Sequence, residues 1–173
     1  MSDALRYPVG RFEFREGGAD VRFGAIAAIV QFPQQLRAVA TALTESQLAT
    51  PYRDGGWTAR QVIHHVADSH VNAYVRTKWL LTEDRPTIKA YDEKAWAALP
   101  DVALSPIEDS LSMIEAMHRR WTLLLESVGE EAYSRELLHP VNGPMSLGRL
   151  VQMYAWHGRH HLGHLQIVAG VRP

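Results

Sequence analysis

Leu147-Gly-Arg-Leu-Val-Gln-Met-Tyr-Ala-Trp-His157-Gly-Arg-His-His161-Leu-Gly-His164-Leu-Gln-Ile-Val168 is the stretch on which the fold turns. Leu147, Leu150, Tyr154, His157, His161, Leu165 and Val168 recur at spacings of three and four, one face of an α-helix. Ser146 stands where an N-cap is needed, and Gly170 and Pro173 stop the helix near Ala169. Two positions of this inward stripe are histidines rather than aliphatic residues. A buried imidazole without a partner is costly.

Three further stretches carry the same period. From about Asp20 to Leu43 the apolar set is Phe23, Ile26, Val30, Leu36, Val39 and Leu43. Pro33 falls inside it, and a kink or break is expected there. Asp54-Gly55-Gly56-Trp57 reads as a turn, after which Thr58 caps a helix running to about Leu81. Residues 83–90 read as a loop, and Tyr91 to Leu99 as a short helix ending at Pro100. The next long helix starts with Ser105 as cap, Pro106 at its first position and Glu108. Its stripe is Ile107, Leu111, Ile114, His118, Trp121, Leu125 and Val128. A loop or turn with Gly129, Pro140, Gly143 and Pro144 leads to the last helix. Residues 1–18 read as an extended arm lying on the domain. Four long amphipathic helices and no convincing strand give an all-α, four-helix bundle formed by residues 1–173 as one domain. The long connections before the third and fourth helices allow crossovers.

Composition narrows the function. The 173 residues are 46% hydrophobic with a formal net charge of −1, so a core is affordable and no basic field exists for nucleic acid. With no cysteine, disulfides, thiolate metal sites and a cysteine nucleophile are excluded. Any metal must rest on His, Asp or Glu. No apolar run reaches the roughly 20 residues that span a bilayer, and the first residues lack the apolar core of a secretory signal. A soluble, cytoplasmic protein acting on a small-molecule substrate is expected.

The nine histidines are concentrated, three within 64–70 and four within 157–164. His157 and His161, four apart, stack on one helix face and can converge on one ion. They can equally be core histidines bonded to polar neighbours. His160 and His164 repeat the spacing, and His164 lies near the stripe, so periodicity does not choose between the pairs. On the second helix periodicity nominates His70 as the inward residue, sets His65 at the edge of the apolar face and points His64 furthest away. His118 lies on the third helix's stripe, as a core histidine or as a proton-handling group near a metal. Asp68 and Glu115 are candidates to orient histidines, and Trp156 to shape a pocket beside His157. Arg119-Arg120 reads as a solvated face, with an anionic substrate as the alternative.

Several of these segments resemble one family. Pro51-Tyr-Arg-Asp-Gly-Gly-Trp-Thr-Ala-Arg-Gln-Val-Ile-His-His-Val-Ala-Asp-Ser-His70 is similar to the second-helix signature of the YfiT-like proteins of the DinB superfamily. Leu81-Thr-Glu-Asp84, Tyr91-Asp-Glu-Lys-Ala-Trp96, His118-Arg-Arg-Trp121, Tyr154-Ala-Trp-His-Gly-Arg-His-His-Leu-Gly-His164 and Leu5-Arg-Tyr-Pro-Val-Gly10 follow in the family's order. The resemblance implies a bundle binding one zinc or nickel ion per chain through three histidines. These are the second His of the pair on helix two, the His after Trp on the last helix, and the His four further on. They fall here on His65, His157 and His161, in place of the His70 that periodicity prefers. A homodimer is implied as well. The chemistry implied is that of a metal-dependent hydrolase; an alternative is a thiol S-transferase activating a low-molecular-weight thiol such as bacillithiol. The lack of an HExxH-type base favours the thiol. His70 and His118 are the candidates for moving protons. A non-enzymatic module whose ion only cross-links helices is the remaining alternative.

Overall fold

A computed structural model describes residues 2–171, the side chain of Ser2 excepted. Pro173, expected to help stop the last helix, lies outside them. The chain begins with a helical turn, α1 (Ser2–Arg6), and an irregular stretch to Gly18, so the expected arm is present but opens on a helix. The arm is tied to the last helix: the Trp156 Nε1–H donates to the Gly10 carbonyl at 3.1 Å, and the Arg15 backbone exchanges two bonds with the Gln152 amide.

Helix α2 (Ala19–Ala40) passes through Pro33 without a break, contrary to expectation. Its buried face is also different. Ala25, Ile26, Ile29, Phe32, Leu36 and Ala40 are buried, while Phe23 and Val30 are exposed. A one-turn helix, α3 (Glu45–Leu48), and the turn at Gly55, whose φ of +65° suits glycine, lead to α4 (Ala59–Thr82). Thr58 caps α4 as expected, its side chain accepting from the Gln61 amide while Gln61 reaches back to the Thr58 amide.

Two short helices follow, α5 (Glu93–Trp96) and α6 (Pro100–Leu104). Pro100 therefore opens a helix rather than closing one, as its missing N–H permits in a first turn. Helix α7 (Ile107–Ser127) is capped by Pro106 with no side-chain bond, and the expected cap Ser105 instead ends α6. A 3-10 turn (Glu130–Ser134) precedes β1 (Glu136–His139) and β2 (Gly143–Ser146), which pair antiparallel with Glu136 opposite Ser146. This hairpin, joined through Gly143 at φ +71°, corrects the expectation of no strand. Ser146 then caps α8 (Leu147–Val168).

Helices α2 and α4 each pack on α7 and α8. Consecutive long helices α2 and α4 thus sit diagonally, an arrangement that needs a crossover rather than an up-down-up-down path. The core falls into two apolar clusters. One holds Ile29, Ala73, Leu80, Trp121, Leu150 and Tyr154, the other Phe32, Leu36, Val66, Ile114 and Leu165. Each fully buried Leu or Ile in them contributes about 1.5–3 kcal/mol. Helices α4, α7 and α8 cross from one cluster to the other through histidines: His70, His118, and His157 with His161. A polar layer is thereby set across the middle of the bundle.

Candidate metal centre

The layer is built from the helix registers. His157 and His161, one turn apart on α8, have ring centroids 4.5 Å apart. His65 on α4 faces both, at 5.4 and 4.9 Å. One nitrogen of each of these three rings can be chosen so that all lie within 4.8 Å of one another. Trp57 packs on His65 at 4.5 Å and on His161 at 6.4 Å. His65 and His161 are buried, and His157 is half-buried.

Hydrogen bonding orients the α8 pair. Pro33 has no N–H, so the Ile29 carbonyl lacks the donor that an ordinary helix would supply. His118 fills that place, its Nδ1 lying 2.8 Å from the Ile29 oxygen. A carbonyl only accepts, so His118 carries its proton on Nδ1 and accepts at Nε2. The next bond, 2.9 Å from His70 Nδ1 to His118 Nε2, therefore places the His70 proton on Nδ1. His70 Nε2 then accepts from His157 Nδ1 at 3.1 Å, leaving His157 Nε2 as a lone pair. Phe32 presses on His70 and His118, with centroids 5.2 and 5.7 Å away. A methyl carbon at Gly158 would come within 2.9 Å of Phe32, so glycine is what lets α8 close on α2 there.

His161 has a shorter relay. His164 Nε2 donates to the Arg6 carbonyl at 3.3 Å, so its Nδ1 accepts from His161 Nδ1, also at 3.3 Å. Tyr52 stacks on His164 at 3.8 Å. His160, His161 and His164 also lie close enough to share an ion, but both nitrogens of His164 are already engaged. His160 is covered by Trp156, stacked at 4.6 Å. Trp156 thus pins the arm, shields His160 and walls a hollow under the arm that His157 does not line.

Burial keeps these rings neutral. It pushes His65 and His118 down to about 4, and His70, His157 and His161 well below the ordinary value, with neighbouring imidazoles adding to the effect in His65, His70, His157 and His161. Neutral lone pairs are what a divalent cation requires of histidine. Among the described residues no Asp or Glu is hydrogen-bonded to any of these rings. Glu115 pairs instead with Arg37, and no side-chain bond of Asp68 reaches a histidine. His64, expected to face outward, is buried and bonded to Ser110 at 2.8 Å, because α6 covers that side of α4. Arg119 and Arg120 are exposed, as read from the sequence.

Three neutral histidines, two buried and one half-buried, with converging nitrogens make a cluster able to bind a metal ion. The family model of the DinB superfamily matches residues 28–165. The chain belongs to the DinB superfamily. Over 161 residues it is 48% identical to a protein of Oceanobacillus iheyensis named "Putative metal-dependent hydrolase", covering 92% of this chain and 93% of that one. A Bacillus cereus protein of the same name is 46% identical over 166 residues, 95% of each chain. Among solved structures, YfiT from Bacillus subtilis, described as a probable metal-dependent hydrolase with an unusual four-helix bundle topology, superposes with a TM-score of 0.93. It is 39% identical, over 96% of this chain and 97% of that one. The diagonal placement of α2 and α4 is this superfamily member's departure from a simple bundle.

Sequence reasoning missed a second feature. A cleft of about 220 Å³ adjoins the layer, between α4, the segment before α5, the hairpin turn and α8. Tyr154, on its wall, lies with its ring 5.5 Å from His157 and 5.1 Å from His70. Larger hollows, about 710 and 420 Å³, run under the arm and are lined by none of the clustered histidines. No helix among the described residues is long and apolar enough to cross a membrane.

Proposed function

We propose that this chain is a hydrolase of small-molecule substrates in which His65, His157 and His161 hold one divalent cation, zinc or nickel. The observation carrying this reading is the orientation of the α8 pair. Each Nδ1–H is committed to another histidine, so each Nε2 is left as a lone pair in a cluster too buried to protonate at neutral pH. Three protein donors, rather than four, is the count of catalytic zinc sites. A divalent cation held there supplies Lewis acidity, polarising the group under attack and lowering the pKa of the nucleophile beside it. The chain's own residues do the positioning: His70 and His164 hold the α8 rings by their Nδ1 protons, and Trp57 screens His65 and His161 from water. His70 and His118 have both nitrogens engaged, so they orient rather than shuttle protons. The names of the relatives support hydrolysis, and an ester or amide is the bond we assign to it.

One observation favours a second reading. Among the described residues no carboxylate touches the cluster, so no obvious base is at hand for water. A low-molecular-weight thiol, which ionises more readily, needs less help, and thiol S-transfer follows.

The test is metal content per chain, measured on untagged protein, for the wild type and for H65A, H70A, H157A and H161A. About one zinc or nickel per chain is expected, lost with H65A, H157A and H161A and retained, more weakly, with H70A. Metal-loaded protein is then offered an ester and amide panel beside a thiol with a chromogenic electrophile. Turnover of the second set alone makes the chain a transferase. Chelation is expected to leave helicity intact, since two apolar clusters flank the layer; collapse on chelation would instead make the ion a structural cross-link. The homodimer that goes with this reading is checked by light scattering.

A further inference from the structure

Arg76 is 7% exposed, yet among the described residues no carboxylate lies within the 4.0 Å of an ion pair. Its one well-defined bond is from Nη2 to the Lys89 carbonyl at 3.3 Å, and its guanidinium lies beside the Tyr154 hydroxyl. Buried cations are nearly always paired, because an unpaired one loses hydration without recompense. Arg76 lines the 220 Å³ cleft next to the histidine layer.

The other walls are built to donate. His139 Nδ1 accepts from the amides of Val141 and Asn142, both at 3.2 Å, so its ring proton sits on Nε2. The Tyr91 hydroxyl, close to Ser69, is covered and makes no hydrogen bond among the described residues. Glu93, the one carboxylate on the lining, stands beyond ion-pair distance of Arg76; burial raises its pKa, and the Arg76 charge offsets only part of that rise, so the two face each other across the cleft without pairing.

The register of α4 connects this cleft to the cluster. Arg76 follows His65 by eleven residues, about 20° from three full turns, so both lie on one face about 16 Å apart along the axis. Tyr154, beside the Arg76 guanidinium, spans the gap, its ring lying 5.5 Å from that of His157 and 5.1 Å from that of His70.

We propose that the cleft is a substrate subsite in which Arg76, with Tyr91 and His139, takes a carboxylate at the end of the substrate remote from the reacting group. This deepens, and rests on, the metal-centred reading above. It assigns the substrate class as an acid bearing its ester, amide or electrophilic carbon several carbons from the carboxylate. Arg76 binds and positions; it does not act on the bond that breaks.

The full chain is tested in two states. In metal-free protein, adipate is titrated while the Arg76 side-chain N–H signal is followed by NMR; a saturable shift absent with adipamide is expected. In metal-loaded protein, hemi-esters of four- to eight-carbon diacids are compared with the matching neutral diesters. The charged substrates are expected to be favoured at least tenfold in kcat/KM, chiefly through KM. Arg76→Met should bring that ratio near one with metal content unchanged, while Arg76→Lys keeps part of it. Arg76→Met should also raise the melting temperature by a few degrees, since it removes an unpaired buried charge; a residue kept for structure would lower it. No adipate response, or a ratio that survives Arg76→Met, overturns the subsite; should that variant fail to fold, Arg76→Lys and His139→Ala carry the same comparison. Adipate binding without any ester turnover sustains the subsite and sinks the hydrolase.

Discussion

Two relays end on the α8 histidines, and they differ in where they are anchored. The first runs from the Ile29 carbonyl through His118 and His70 to His157, entirely between packed helices. The second runs from the Arg6 carbonyl through His164 to His161, and its anchor belongs to an arm laid over the bundle. Water can replace an acceptor at the rim but not one in the core. The inner relay is therefore held by the fold itself, and the outer one by a docking event. His65 has neither, and depends on packing against Trp57.

Breaking the inner relay should have the largest effect. His118→Phe keeps a ring against Phe32 and Trp121 but leaves the Ile29 carbonyl without its donor, at a cost of about 1–3 kcal/mol. It also frees the His70 proton to move. Zinc affinity, read by chelator competition, should fall about 10–100-fold, as expected when a group orienting a metal ligand is lost. Equal affinity in His118→Phe and wild type would mean that His157 needs no such orientation.

Acid should separate the relays next. In the unfolded chain histidines take up protons near pH 6.5, while the native His118 and His164 do so only at about 4 and about 3. Between those limits the unfolded state binds more protons, so stability of the metal-free protein falls as pH falls, and is recovered above about pH 7. The His118 shift alone amounts to about 3 kcal/mol at about 1.4 kcal/mol per pH unit. Denaturation from pH 7 down to pH 3 should show the fall; His118→Phe and His164→Phe should flatten it alike down to about pH 4, and below that His164→Phe should flatten it more, since the His164 ring takes up its proton last. A pH-independent midpoint would contradict neutral burial.

The elements that announce themselves locally were legible in the sequence. Thr58 with Gln61, and Ser146, mark helix starts through their own side chains, and the period of α7 and α8 names their buried faces. The hairpin was hidden because its strands are four residues each, too short for alternation to register. On α2, contacts with both α7 and α8 bury a broader arc than one stripe. Periodicity rightly placed His70 inward at 0% exposure, but inward is where the orienting group sits; His65, at the edge of the face, meets α8. Arg76 could not be found at all, since its burial depends on a hairpin turn more than sixty residues away.

Removing the arm should cost less than breaking the core relay. A chain lacking residues 1–10 loses the Arg6 acceptor and the Trp156 bond to Gly10, but water can take the His164 proton. We expect zinc affinity to drop no more than about tenfold, with the helical content unchanged. A loss as large as that of His118→Phe would erase the distinction between the relays, and would mean that the arm completes the site.

The smallest effect, and the most discriminating sign, belongs to Pro33→Ala. Proline inside a helix costs about 3 kcal/mol relative to alanine, so the substitution should stabilise the metal-free protein, though by less than that because the site is already accommodated. The restored Ala amide competes with His118 Nδ1 for the Ile29 carbonyl. As that bond loosens, the proton positions on His118 and His70 are no longer dictated, and zinc affinity should fall a few-fold while the melting temperature rises. Nitrogen-15 shifts of the two rings, which report which nitrogen carries the proton, should move from one fixed pattern toward a mixture. A protein that is both more stable and equally tight for zinc would reduce Pro33 to an accident of α2. Opposite signs for stability and affinity would show that a helix defect is kept because its unclaimed carbonyl holds the inner relay in register.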